Sequence, residues 1–242
     1  MFKALRRVAI ATVAVGLIAG AFAFAAPAVA APANNTPVPV SPTDQAKLHA
    51  YWNKYGLSAA TQNALLAKIE SGQVLDSNNG SSPVGQSTTT SGDTTTTIDT
   101  FADGSIAVIG VGPVAPTTTG GVHADSVGSA SCHVTSSSGP TTYYACAVSG
   151  STSTVSLAYN GYYYYNGVSD ASAITSVASL QYTCFLGTCS GAYLHVTRTY
   201  DQPSLSALAE GGVVWNGYGG VGTYNEWLRF FVHNGAASAQ YN

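Results

Sequence analysis

The region from Asp93 to Asn242 constrains the fold most. Short runs rich in Thr, Val, Ile, Tyr and Phe alternate there with Gly, Ser, Asn and Pro clusters at ~8 to 15 residue spacing, and no helical period outlasts one turn. About nine strands are expected, and a two-layer antiparallel β-sandwich is the simplest way to bury one face of each. The fold class expected is therefore mainly β. Thr95 to Phe101 and Ser105 to Val111 flank Ala102-Asp103-Gly104, a hairpin turn in which Gly104 supplies the positive φ. Further strands are expected near Ser129 to Thr135, Thr142 to Ser149, Thr152 to Tyr165, Ala173 to Cys184, Ala192 to Tyr200, Gly212 to Trp215 and Thr223 to His233.

The cysteines fit that pattern. Cys132 and Cys146 are equidistant from Gly139 in the turn sequence Ser138-Gly139-Pro140, and Cys184 and Cys189 straddle Leu186-Gly187. Bridges Cys132–Cys146 and Cys184–Cys189 follow, contributing about 3 and about 2 kcal/mol by loop closure. The two crossed pairings are the alternatives, and neither spacing is the C-x-x-C of a zinc site. A symmetric turn at Leu186-Gly187 would leave Leu194 without an apolar partner. A bulge near Gly191 would pair it with Leu180 and turn His195 to solvent.

Ahead of the β region, Ser41-Pro42-Thr43-Asp44 reads as a capped helix start. Leu48, Tyr51, Trp52 and Tyr55 form one stripe closed by Gly56. Ser58 caps a second helix with Leu65, Leu66 and Ile69, ended by Gly72. Residues 41–76 are thus a short α-helical hairpin preceding the sandwich of 93–242. It is too small for a core of its own and must lie against something else. Ser77 to Gly92 lacks apolar pattern and reads as a flexible linker, and residues 31–40 as an extended Pro-rich spacer.

Residues 1–30 read as a cleavable export signal: Lys3, Arg6 and Arg7, an apolar run from Val8 to Phe24, then Ala28-Val29-Ala30. A secreted, extracellular, disulfide-bonded protein with no membrane span after cleavage is expected. Without the three leader cations the formal charge moves from −3 to −6, and Arg198 and Arg229 are the only Lys or Arg residues beyond Lys68. That balance excludes nucleic acid as a partner.

Thr61-Gln62, Ala64-Leu65, Lys68, Gly72 and Asp76-Ser77, followed by Phe101-Ala102-Asp103-Gly104-Ser105, resemble a family of secreted actinobacterial proteins of uncharacterised function. The resemblance is greatest over leader, helix pair and first hairpin. It implies an exported helix pair plus β domain and carries no catalytic or binding residues.

No catalytic, cofactor or metal residues are assigned. Gly217-Tyr218-Gly219-Gly220-Val221-Gly222 matches G-x-G-x-x-G, but a strand-like segment follows it where a helix is required. His123-Ala124-Asp125 is an isolated pairing, and the spacing of Asp170, Asp201, Glu210 and Glu226 selects no acid/base pair. Aromatic placement is more informative. Period-two alternation sets Asn160, Tyr162 and Tyr164 opposite a core face of Val155, Leu157 and Tyr159, beside Asn-Gly turns at Asn160 and Asn166. Trp227 and Phe231 likewise lie opposite Tyr224, Leu228, Phe230 and Val232. Either the helix pair covers Trp227 and Phe231, or aromatic rings beside amides form a sugar-stacking platform. The expected function is non-enzymatic recognition of glycan or cell-envelope material. The alternatives are a polysaccharide- or peptidoglycan-acting hydrolase and a purely structural surface protein.

Overall fold

A computed structural model describes residues 38–114 and 132–242. Residues 1–30, read above as an export signal, most of the expected spacer, His123-Ala124-Asp125 and the start of the strand expected at Ser129 to Thr135 lie outside them. The Ser41 hydroxyl accepts the Asp44 N–H and donates to its carboxylate, so α1 (Pro42–Lys54) starts on a side-chain cap with proline in its first turn. Gly56, at φ 74°, ends it. Ser58 caps α2 (Ala59–Glu70), and Gly72 follows at φ 73°.

Eleven strands follow among the described residues: β1 (Gly85–Ser91), β2 (Thr94–Thr100), β3 (Ile106–Pro113), β4 (His133–Ser138), β5 (Thr141–Ser151), β6 (Val155–Asn166), β7 (Ala171–Cys184), β8 (Thr188–Arg198), β9 (Ala207–Asn216), β10 (Thr223–His233) and β11 (Ala236–Tyr241). A first sheet runs β1-β2-β3-β5-β6-β7, with β4 continuing the β3 edge of β5, and a second runs β11-β10-β9-β8. All the ladders are antiparallel. The sheets pack face to face through Val155, Leu157, Tyr159 and Tyr163 on one side and Val213, Leu228, Phe230 and Val232 on the other, giving the expected sandwich.

Both disulfides form as the spacing predicts, Cys132–Cys146 with Cα atoms 4.5 Å apart and Cys184–Cys189 at 6.1 Å. The first is set by two compensating features. Ser138 pairs with Thr141 around a two-residue Gly139-Pro140 turn, and a register shift between Val134 and Ser136 restores the alignment that brings Cys132 beside Cys146. The second is not a hairpin within one sheet. β7 pairs with β6 and β8 with β9, so the bridged turn carries the chain from one sheet to the other. Leu180 and Leu194 are therefore not cross-strand partners and pack on the core from different sheets. The bulge at Gly191 (φ 61°) is present, but it adjusts β8 against β9, and His195 is exposed.

Other expectations are corrected. The segment taken as a flexible linker, 77–92, contains buried Ser77 and Asn78 and the whole of β1, whose Ser and Thr side chains are exposed and so leave no apolar signature. The end of the spacer is tied down: Val40 is buried, and the Val38 N–H donates to the Glu70 carbonyl. Asn160-Gly161 is not a turn but the middle of β6, where a side chain in place of Gly161 would collide with the Phe230 ring.

The helix pair completes its core with a residue from the sandwich. Val40, Leu48, Trp52, Leu65, Ile69 and Leu75 close around Leu186, at the tip of the Cys184–Cys189 turn. It does not cover Trp227 and Phe231. A polar latch sits beside this core: Lys68 lies 2.8 Å from both Asp76 and Asp103, and the Asp76 and Ser77 N–H groups donate to Asp103 and Ser105. Burial opposes the charge on Asp103, yet its bonds from Lys68 and Ser105 hold its carboxyl below the ordinary range. Gly104, at φ 83°, lets the hairpin approach Thr61, which an added Cβ would meet at 2.7 Å. Thr61, Lys68, Asp76, Ser77, Asp103, Gly104 and Ser105 thus meet at the joint between helix pair and sandwich.

Candidate functional site

On β6 the side chains alternate between core and surface. Val155, Leu157, Tyr159, Gly161 and Tyr163 are buried, while Ser156, Ala158, Asn160, Tyr162 and Tyr164 stand half-buried on the outer face of the first sheet. The β5 partners across this face are Ser151, Ser149, Ala147, Ala145 and Tyr143. On the β7 side, Ala178 lies opposite Asn160 and Ser176 opposite Tyr162. The result is a low floor of Ala, Ser and Asn with tyrosines at one end, where the Tyr143 and Tyr164 rings lie 6.0 Å apart.

At the other end of the same face α1 stands over the sheet. The outward positions beneath it include Gly110, Ser149, Ser151 and Ser156, too small to meet the helix, and a cavity of about 370 Å³ remains. Tyr51 and Tyr55, with rings 5.0 Å apart, line it, and the Tyr51 hydroxyl donates to the Ser151 carbonyl at 3.0 Å. Ser156 at the cavity and Tyr164 at the aromatic end are eight residues apart on one strand, roughly 26 Å at ~3.3 Å per residue.

Trp227 and Phe231 are half-buried on the outer face of the second sheet, so the sandwich keeps them apart from Asn160, Tyr162 and Tyr164. The Arg229 guanidinium lies 4.0 Å from the Trp227 ring centre. Its Nε donates to Glu210 at 2.6 Å, and the Tyr193 hydroxyl donates to the other oxygen at 2.7 Å. Partial burial works against the Glu210 charge, but these donors hold its carboxyl below the ordinary range. One face of Trp227 is therefore occupied by the protein's own cation.

The four carboxylates weighed above each have partners within the protein. Asp201 accepts the Ser172 and Asn234 N–H groups, Asp170 accepts the Tyr165 hydroxyl, and Glu210 belongs to the Arg229 pair. Glu226 points into the interior, where the Asn78 amide donates to it at 2.9 Å and burial pushes its carboxyl up to about 8. A second cavity, beside Gly187, Asn216 and Tyr218, has Asp44 in its wall, and neither cavity is lined by two carboxylates. Among the described residues no three His, Cys, Asp or Glu side chains converge on a metal position. Gly217 to Gly222 is the loop between β9 and β10 and is followed by a strand. The buried Asn78–Glu226 pair and the cavity under α1 are not readable from sequence. Their only trace is a set of Gly and Ser residues at outward strand positions, which gains meaning once the seat of α1 is known.

No family model, curated protein or solved structure matches the chain.

Proposed function

We propose that this is a secreted, non-enzymatic binding protein that recognises glycan or cell-envelope material on the outer face of its first sheet. The observation that carries the reading is the continuity of that face: Tyr143, Tyr162 and Tyr164 lead past Asn160 over a small-residue floor into the cavity beneath α1. Sugar rings present C–H faces that stack on aromatic side chains, while hydroxyl and amide groups orient them. The leader-like N terminus and two disulfides support export. No helix among the described residues is long and apolar enough to cross a membrane. A hydrolase would need two carboxylates flanking the scissile bond, roughly 5 to 9.5 Å apart; Asp170, Asp201 and Glu210 are each engaged by the protein's own donors, Glu226 is buried, and neither cavity described above is lined by two carboxylates.

The test is co-sedimentation of the purified protein with insoluble cellulose, chitin, xylan and purified bacterial cell walls. Retention on at least one is expected, falling about tenfold or more in Tyr162→Ala/Tyr164→Ala and unchanged in Trp227→Ala. Loss of retention in Trp227→Ala, with the tyrosine variant unaffected, would move the site to the second sheet. No retention on any of the four would overturn the reading.

A further inference from the structure

One wall of the cavity beneath α1 is a single helix face: Lys47, Ala50, Tyr51, Lys54 and the C-cap Tyr55. An amphipathic helix normally closes onto a sheet through large apolar residues on both sides. Here the sheet offers Gly110, Ser149, Gly150 and Ser156, and a gap of about 370 Å³ stays open. An unfilled gap costs stability. Its volume lies at the low end of the roughly 300 to 1,000 Å³ typical of ligand sites, room for one substituted sugar unit and not for a chain of them.

The lining selects for neutral, carbon-rich groups. None of the lining residues is a carboxylate, and neither lysine brings a free charge: Lys47 is paired with Asp44 at 2.9 Å, and Lys54 has a partner of its own, with its ammonium 5.4 Å from the Tyr55 ring centre. What the lysines leave for a ligand is their alkyl stems. Tyr51, Tyr55, Val108, Leu157 and Phe185 supply most of the remaining surface. The Tyr51 hydroxyl is itself spent on the Ser151 carbonyl, which leaves the Ser149 and Ser156 hydroxyls as polar groups of the floor. Carbon walls with hydroxyls at the floor suit a substituent that is apolar at its tip and carries one amide.

We infer that the cavity under α1 receives an N-acylated amino sugar of a glycan lying along the first sheet, with the acyl group between Tyr51, Tyr55 and Phe185 and its amide met by the Ser149 and Ser156 hydroxyls. The inference rests on the glycan reading above and adds the class of sugar. A hydroxyl in place of the acylamino group would leave the carbon walls unfilled, and a free amine would bury an ammonium with no carboxylate beside it. The preference therefore runs to the N-acyl sugar over both.

The test is calorimetric titration of the full protein with three soluble probes that share one backbone and differ only at C2: cellotetraose, the N-acetylated chitotetraose and its fully de-N-acetylated counterpart. Chitotetraose is expected to bind tenfold or more tightly than either of the others. Its margin over cellotetraose should not change on adding salt to about 150 mM, because no charge carries it. Ala50→Trp, at an exposed position on the cavity wall, and Ser156→Leu, on its floor, should each fill the recess and bring that margin near unity while cellotetraose binding persists. In the native chain, the backbone amide signals of Ser149 and Ser156 should shift more with chitotetraose than with cellotetraose. Equal affinity for these two probes, tighter binding of the free-amine probe, equal shifts at both serines, or a margin untouched by both variants would overturn the inference and leave the glycan reading standing. No binding of any probe would also overturn it and, joined to no retention on the insoluble polymers, would overturn both.

Discussion

Replacing Glu226 by Gln is expected to flatten a fall in stability that the native chain undergoes between about pH 4.5 and pH 8. Glu226 is 1% exposed and sits among Asn78, Thr152 and Tyr241 in the interior. Burial raises its carboxyl from 4.5 to about 8, against the smaller opposing effect of the Asn78 and Tyr241 bonds. Below pH 4.5 the group is protonated whether the chain is folded or unfolded. Above it, the unfolded chain releases a proton that the folded chain retains, so stability drops as pH rises, until the folded group also ionises near 8. Each pH unit in that window costs about 1.4 kcal/mol, so the whole descent is on the order of 4 kcal/mol. Gln keeps the carbonyl that accepts from Asn78 and cannot ionise. Thermal unfolding of native chain and variant at pH 4.5, 6 and 8 should give curves that lie close together at the acid end and diverge with pH, the variant being higher at pH 8. Parallel curves would mean that Glu226 is not the buried acid described.

Leu186→Asp is expected to detach the helix pair. Leu186 is 2% exposed and is the sandwich's contribution to the cluster of Leu48, Trp52, Leu65, Ile69 and Leu75. A carboxylate there has no cation among the side chains of that cluster, and removing the leucine deletes the contact that lets a thirty-residue hairpin bury its apolar stripe. A loss of at least about 3 kcal/mol is expected, which for a chain of this size lowers Tm by roughly 10 °C. Limited proteolysis should then cut within Pro42–Lys54 and Ala59–Glu70 before the sandwich strands. An unchanged Tm with both helices still resistant would show that the pair is stable without the Cys184–Cys189 turn.

The legible parts of this chain are those in which local chemistry and tertiary structure agree. Ser41 and Ser58 are caps in any context, Gly56 and Gly72 take the positive φ that ends a helix, and Thr223 to His233 alternates because its sheet has one buried face. Both disulfides follow from turn sequences lying between their cysteines. The errors arise where distant partners decide. β1 has no apolar alternation because its side chains are exposed, and β11 escapes notice because Ala237 and Ala239 make a faint inward pattern before Tyr241. Asn160-Gly161 carries a turn signature, yet it is held in a strand by Phe230, some seventy positions away in sequence. Nothing local distinguishes a hairpin at Cys184–Cys189 from a passage between sheets. At the candidate site the alternation of β6 identifies Asn160, Tyr162 and Tyr164 as one face, while the cavity beside them depends on where α1 comes to rest.

The most direct test of the account is to map where a glycan touches the protein. Backbone amide shifts of the isotopically labelled chain, followed during titration with the oligosaccharide that binds most tightly, report the contacted face residue by residue. The account predicts changes centred on Ser149, Ser156, Asn160, Tyr162 and Tyr164 and on the α1 segment from Lys47 to Tyr55, with Trp227, Phe231 and Tyr193 unmoved. Changes confined to Trp227, Phe231 and their neighbours on the second sheet, or no changes at saturating oligosaccharide, would contradict it.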